Sequence, residues 1–267
     1  EPAVDERPKI AIVGKPNVGK SSLVNTLVGA ERNIVTPVAG TTRDNVNTRF
    51  TGYGFDVTLL DTAGIRRKSK VDEDIEFYSV LRSVRAIEES DVCMLLIDAQ
   101  DGVQHQDQHI FSLIAKAGKG VVVVVNKWDL IEKDTMTAKR YEEAVRAKFA
   151  PFTDIPVVFT SVTEKQRIHK ALELAMQVHA NRAKRIPTRK LNDVMLPEVE
   201  HRPPPMVKDK VLRIKYVTQL PGVVPAFAFF CNLPQYITDG YARFLENKLR
   251  EHFNYTGVPI RVFFRKK

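Results

Sequence analysis

The run Gly14-Lys-Pro-Asn-Val-Gly19-Lys20-Ser21 constrains this chain more than any other feature. It follows a short apolar run, Lys9–Val13, and leads into a helical pattern over Lys20–Val28. Strand, glycine-bounded turn and helix in that order make the GxxxxGK[ST] arrangement, in which backbone N–H groups wrap a phosphate at a helix N-terminus. Asn17, Val18, Gly19, Lys20, Ser21 and Ser22 are then the expected phosphate contacts. Lys20 should reach the β- and γ-phosphates, and the Ser21 hydroxyl should bind Mg2+.

The rest of the first 186 residues repeats this rhythm of apolar strand and helix. Val46–Phe50 and Phe55–Leu60 read as a hairpin about Gly52-Tyr53-Gly54. A helix over about Glu73–Glu89 follows, then a strand Asp91–Asp98, a helix Gln104–Ala117 and an all-valine strand Val121–Val125. A helix Thr135–Phe149, a strand Val157–Phe159 and a helix Lys165–Arg182 complete the set. Continuous apolar strands alternating with helices predict a mostly parallel, doubly wound α/β sheet covered on both faces. Breaks at Ile186-Pro187 and His201-Arg-Pro-Pro-Pro205 bracket a short helix carrying Leu191, Val194, Met195 and Val199. Beyond lie strands Lys210–Thr218 and Ala226–Cys231, a helix Thr238–Phe253 and a strand Pro259–Phe264, the order of a small α+β module. The expected division is 1–8 as linker, 9–183 as the α/β domain and 187–267 as the α+β module.

Two more elements point to the ligand. Asp61-Thr-Ala-Gly64 closes an apolar strand, where Asp61 would hold Mg2+ through a water and the Gly64 N–H would meet the γ-phosphate. Asn126-Lys127-Trp128-Asp129 closes the valine strand. The Asp129 carboxylate can accept from both the ring N–H and the amino group of guanine, whereas adenine would leave it unpaired. Lys127 can lay its stem along the base and Asn126 can brace the loop. These tetrapeptides stand at the carboxyl ends of strands, where α/β sheets bind ligands. The pattern predicts a guanine nucleotide, GTP or GDP.

With these motifs, residues 9 to about 183 resemble a translation-factor-class GTPase domain. Gly40-Thr41-Thr42-Arg43-Asp44 is similar to the switch segment of the Era, MnmE and Der (EngA) group. The resemblance implies that Thr42 binds Mg2+ and senses the γ-phosphate. It also implies that Thr160-Ser161-Val162-Thr163 is the Ser-Ala loop, with Ser161 and the Val162 backbone at the guanine. Where Ras-type enzymes orient the attacking water with a glutamine, this chain has Ile65. Arg43, Arg66 and Arg67 are candidates for an arginine finger, but an exposed loop arginine is ordinarily a solvated charge. In the resembling group a K+ ion takes that place, which assigns Asn17, Thr36, Val38 and Thr41 to K+. Such a domain should hydrolyse GTP slowly and act as a switch, with Gly64–Asp74 reordering between nucleotide states.

The chain carries 41 Lys+Arg against 32 Asp+Glu, and the residues from Pro187 onward hold 14 and 7 of them. That basic module, with Arg202-Pro-Pro-Pro-Met206 and Gly257-Val-Pro-Ile-Arg-Val-Phe-Phe264, resembles the KH-like domain that ends Der proteins. It has no GXXG loop, so Lys208, Lys210, Arg213, Lys215, Arg261, Arg265, Lys266 and Lys267 are expected to meet RNA phosphates without sequence preference. Phe227, Phe229, Phe230, Phe263 and Phe264 are expected mainly in the core. The acidic Glu1–Glu6 stretch resembles the end of a linker from an upstream GTPase domain, which would dock on the KH-like module. No apolar run reaches the roughly 20 residues of a membrane span. Cys93 and Cys231 read as buried reduced thiols of a cytoplasmic protein.

The resemblance implies a GTPase switch in assembly of the large (50S) ribosomal subunit, partnered by that subunit and its rRNA, with Mg2+ and K+ as cofactors. An Era-like small-subunit GTPase is the alternative, which the absent GXXG loop disfavours. A GTP-dependent RNA- or protein-binding module with little turnover is a further one, disfavoured by Lys20, Ser21, Thr42 and Asp61. An MnmE-like role would call for a reactive C-terminal cysteine, and the chain ends Phe-Phe-Arg-Lys-Lys.

Overall fold

A computed structural model describes residues 6–29, 34–37, 47–60 and 83–266. The chain divides into two compact units, Glu1–His179 and Ala180–Lys267.

The first unit is built on a seven-stranded sheet. Its strands are β1 (Lys9–Val13), β2 (Ile34–Pro37), β3 (Thr48–Gly52), β4 (Phe55–Leu59), β5 (Val92–Asp98), β6 (Gly120–Asn126) and β7 (Val157–Phe159). The strand order is β2-β3-β4-β1-β5-β6-β7, with β2, β3 and β4 paired antiparallel and the remaining neighbours parallel. Helices α1 (Lys20–Gly29), α2 (83–89), α3 (His105–Lys116), α4 (Thr137–Lys148) and α5 (Ile168–Ala183) alternate with the strands. The division between the units falls inside α5. β5 and β6 are buried along their whole length, which is why Val-Cys-Met-Leu-Leu-Ile and Val121–Val125 carry no polar alternation. At the far end of β6 Gly120 is obligatory, since a Cβ there would stand 2.5 Å from Val178 Cγ1.

The expected strands and helices recur with shifts of one to three residues at most ends. The strand β2 escaped the sequence reading, because Ile34-Val-Thr-Pro37 is too short to show a period. Of the helix expected at Glu73–Glu89, residues 83–89 are described and the rest lie outside the described residues.

The second unit follows the order α6 (Thr188–His201), β8 (Ile214–Gln219), β9 (Ala226–Cys231), α7 (Asp239–His252), β10 (Arg261–Lys266). Its sheet runs β10-β9-β8, with β9 and β10 parallel and β8 and β9 antiparallel. Proline 197 lies inside α6, which runs on to the break expected at His201. Leu191, Met195 and Val199, four residues apart, are all buried, and their packing outweighs the lost hydrogen bond. The Asn192 side chain closes the exposed edge of β8: its Oδ1 accepts from Val217 N at 2.8 Å and its Nδ2 donates to Val217 O at 2.8 Å. Phe227 and Phe229 are fully buried, whereas Phe230 stacks on Tyr216 at 4.4 Å and Phe263 is 43% exposed, so the five phenylalanines divide between core and surface. Lys208, Lys210, Arg213, Lys215, Arg261, Arg265 and Lys266 are exposed; Lys267 lies outside the described residues. Both cysteines are buried. Among the described residues no helix is long and apolar enough to cross a membrane.

Candidate functional site

The phosphate-loop motif occupies the bend between β1 and α1. Gly14 and Gly19 hold φ of +152° and +106°, and Asn17 is left-handed at φ +64°, a conformation asparagine tolerates better than most residues. Space forbids side chains at both glycines. A Cβ on Gly14 would lie 2.7 Å from the Leu96 carbonyl oxygen, and one on Gly19 only 2.2 Å from Asn126 Nδ2. Lys20, the first residue of α1, turns back over the loop and donates to Gly14 O at 2.6 Å and Lys15 O at 2.7 Å. Its ammonium thus sits inside the loop. Burial lowers its pKa to about 8, against the opposing attraction of Asp107. Ser21 and Ser22 follow in the first turn of α1, and Val18 is buried beneath the loop.

Strand register assembles the second half. Asp98 at the end of β5 stands opposite Asn126 at the end of β6. The Asn126 side chain, 3% exposed, donates from Nδ2 to Val18 O at 2.9 Å. Its Oδ1 accepts from Val162 N at 3.2 Å and from Thr160 Oγ1 at 3.3 Å. One side chain therefore ties the phosphate loop to the loop holding Thr160 and Val162, the kind of bracing expected of it. Val162 N–H, which the resemblance aims at the guanine carbonyl, already has this long bond. Ser161 is buried and its Oγ accepts from Glu164 N at 3.3 Å. Lys127 is left-handed at φ +61°, and its Nζ pairs with Asp98 Oδ2 at 2.5 Å. Asp129 is partly exposed in a single 3-10 turn, Trp128–Leu130, beside the buried Trp128. Trp128 packs on Phe159 (4.2 Å) and edge-on to Tyr141 (5.3 Å), which anchors the 3-10 turn in the core.

Three acidic residues were given no role from sequence. Asp98 is 93% buried by area; burial raises its pKa, but the Lys127 ammonium and the Gln100 N–H overcome this and hold its carboxyl below the usual range. Asp101 accepts from Lys15 Nζ at 2.6 Å, anchoring the second residue of the phosphate loop. Asp107, fully buried in the first turn of α3, accepts from Gln104 N at 2.9 Å, and burial raises its pKa. The one signal in sequence is that Asp98 ends an otherwise apolar strand.

The structure thus brings together Asn17, Val18, Gly19, Lys20, Ser21 and Ser22 with Asn126, Lys127, Asp129, Ser161 and Val162 at the carboxyl ends of β1, β6 and β7. Thr36 lies exposed on β2. Val38, Thr41, Thr42, Asp61, Gly64 and Ile65, with Arg43, Arg66 and Arg67, lie outside the described residues, as does the whole Gly64–Asp74 segment. Among the described residues no cluster of His, Cys, Asp and Glu is suited to a metal ion.

A family model described as 50S ribosome-binding GTPase matches residues 9–127. Another, the KH-domain-like domain of EngA bacterial GTPase enzymes, C-terminal, matches residues 185–265. The curated protein "GTPase Der" of Christiangramia forsetii is 57% identical over 262 residues, 98% of this chain and 60% of that protein. "GTPase Der" of Bacteroides fragilis is 57% identical over 265 residues, 98% of this chain and 61% of that protein. The chain spans about three fifths of the length of these relatives. Among solved structures, Era in complex with MgGDPNP and nucleotides 1506-1542 of 16S ribosomal RNA is 22% identical, with a TM-score of 0.47 and coverage of 97% of this chain and 92% of that one.

Proposed function

Because the chain belongs to the GTPase Der family, we propose that it binds GTP and GDP and hydrolyses GTP to GDP and phosphate as a slow molecular switch in ribosome assembly. The observation that carries the reading is the Asn126 side chain, bonded at once to the phosphate loop and to the loop holding Ser161 and Val162. Base recognition and phosphate recognition meet there in one rigid unit, which favours a nucleotide over either half alone.

In this reading Asp129 accepts from the guanine ring N–H and amino group, and Lys127 lays its stem along the base. The loop N–H groups and the Lys20 ammonium take the β- and γ-phosphates. Ser21 and Thr42 hydroxyls and the Asp61 carboxylate, through a water, form a hard-oxygen set that fits Mg2+. When bound, that ion neutralises charge on the β- and γ-oxygens. The Gly64 N–H meets the γ-phosphate. A water attacks the γ-phosphorus and the bond to the bridging β-oxygen breaks. Ile65 cannot orient this water, so the bare chain turns over slowly, lacking an effect worth about 10³–10⁵ in rate in related chemistry. The carbonyl and amide oxygens of Asn17, Thr36, Val38 and the Thr41 region are suited to K+ in place of an arginine finger. The large subunit and its rRNA are the proposed partners, met through the exposed basic residues of the second unit, and an upstream GTPase domain is proposed to dock on that unit. The cytoplasm is the proposed compartment.

The test has three arms. Fluorescent GDP should bind and fluorescent ADP should not, and hydrolysis should run faster in K+ than in Na+ at equal ionic strength. Equal rates in the two salts would remove the K+ assignment. Co-sedimentation should then show nucleotide-dependent pelleting with the large subunit; pelleting with the small subunit alone would favour the Era-like role.

A further inference from the structure

We infer that Asp98 is a positioning residue for guanine-nucleotide binding, acting through Lys127. The inference rests on the reading that Lys127 lies along the base, and adds a residue to that site.

The two strands β5 and β6 run parallel and in register up to Asp98 and Asn126, so the carboxylate of Asp98 emerges beside the loop that begins with Lys127. Asp98 Oδ2 takes the Lys127 ammonium at 2.5 Å, and Oδ1 takes the Gln100 N–H at 2.9 Å. Both oxygens are thus engaged, and the buried carboxylate cannot turn away to solvent. A free lysine side chain has much rotamer freedom to lose on ordering. Here the head group is already fixed, at the far end of the stem that would contact the base, and the backbone is already in the left-handed region the loop requires. A base arriving at this site meets an ordered stem, and preorganisation of that kind appears as tighter binding. Lys127 keeps a third of its side chain exposed, so the pair is open on one side, where a ligand can lie against it.

Asp98 could instead matter only as packing at the strand end. A double-mutant cycle on this chain with fluorescent GDP separates the two, because residues that act as a unit fail to add. Asp98→Asn should weaken GDP binding by about 10-fold, the scale of a hydrogen bond to a charged group. Lys127→Met should weaken it by at least as much. In the double variant the Asp98→Asn change should cost less than about twofold beyond Lys127→Met. Multiplied losses in the double variant, or wild-type affinity in Asp98→Asn, would overturn the inference. If Asp98→Asn fails to fold, Asp98→Glu carries the same cycle: its longer arm keeps the charge and displaces the ammonium, so a smaller loss that vanishes beside Lys127→Met is expected, and a loss that persists there overturns the inference. Failure of the wild-type chain to bind GDP would instead overturn the guanine-site reading beneath it.

Discussion

Replacing Gly19 by alanine tests whether the phosphate loop is braced by Asn126 or merely passes near it. The new Cβ would sit 2.2 Å from Asn126 Nδ2, where contact between such atoms needs about 3.5 Å. Something must move by more than an ångström. The amide cannot swing aside freely, because Nδ2 is bonded to Val18 O and Oδ1 to Val162 N and Thr160 Oγ1, all in a buried setting. Nor can the backbone relax in place, because φ is +106°, a region costing an L-residue about 1–3 kcal/mol. One buried hydrogen bond lost without replacement adds about 1–3 kcal/mol. The expected loss in unfolding free energy is therefore about 2–6 kcal/mol, with GDP affinity falling alongside. Urea unfolding followed by the fluorescence of Trp128, the only tryptophan of the chain, reports on the first unit specifically. Asn126→Ala removes the obstructing amide, so Gly19→Ala should cost less in that background than in the wild type. If Gly19→Ala unfolds within about 0.5 kcal/mol of the wild type and still binds GDP, the brace is not what holds the loop.

Three more outcomes follow. Lys20 must be protonated to meet phosphate, and in the free protein burial lowers its pKa to about 8 while bound phosphate would raise it; GDP affinity should be flat below about pH 8 and fall above it by up to about tenfold per unit, and a flat profile to about pH 9.5 would contradict this. Asn192→Ala should destabilise the second unit by about 1–3 kcal/mol in calorimetry, because the β8 edge loses both bonds to Val217, and leave GDP affinity unchanged. Asp129→Asn should lower GDP affinity by about 100-fold or more and recover binding to the xanthine nucleotide, whose 2-oxo group can accept from the amide; retained guanine preference would refute the assigned role.

The α/β architecture was legible because each cue is local and strong. Val121–Val125 has no reading but a doubly covered strand, and the glycines of the phosphate loop stand where positive φ and close backbone approach demand them. Where a cue was weak, the reading slipped. Ile34–Pro37 is too short for a period, whereas the apolar spacing of Leu191, Met195 and Val199 carried the helix through Pro197 in sequence and structure alike. The phenylalanines of β9 and β10 divide between core and surface by strand parity. Phe227 and Phe229 share a face, and Phe264 pairs with Phe229, while Phe230 and Phe263 fall on the opposite one. Parity fixes which residues share a face, but only the packing of helices on one side says which face is buried.

Residues that would touch a ligand could be proposed from sequence, whereas of those that hold them only Asn126 was, and without its partner, for a physical reason. A residue that meets a phosphate or a base is drawn from few types at fixed spacing, since the ligand sets the geometry. Its support is set by the fold instead. Asn126 reaches Val18 across 108 positions of sequence, and Asp101 reaches Lys15 across 86. Asp98 lies 29 positions from Lys127 and becomes its partner only because β5 and β6 run in register. No spacing rule contains those numbers, since insertion of a single loop residue would change each of them and leave the contact intact. What a sequence can offer is the anomaly: a carboxylate closing an apolar strand has no packing reason to be there, and burial without a counter-ion would cost it several kcal/mol. An acidic residue at the carboxyl end of a buried parallel strand, next to a strand that ends in Asn-Lys, therefore asks for a cation, and the adjacent lysine is the one within reach.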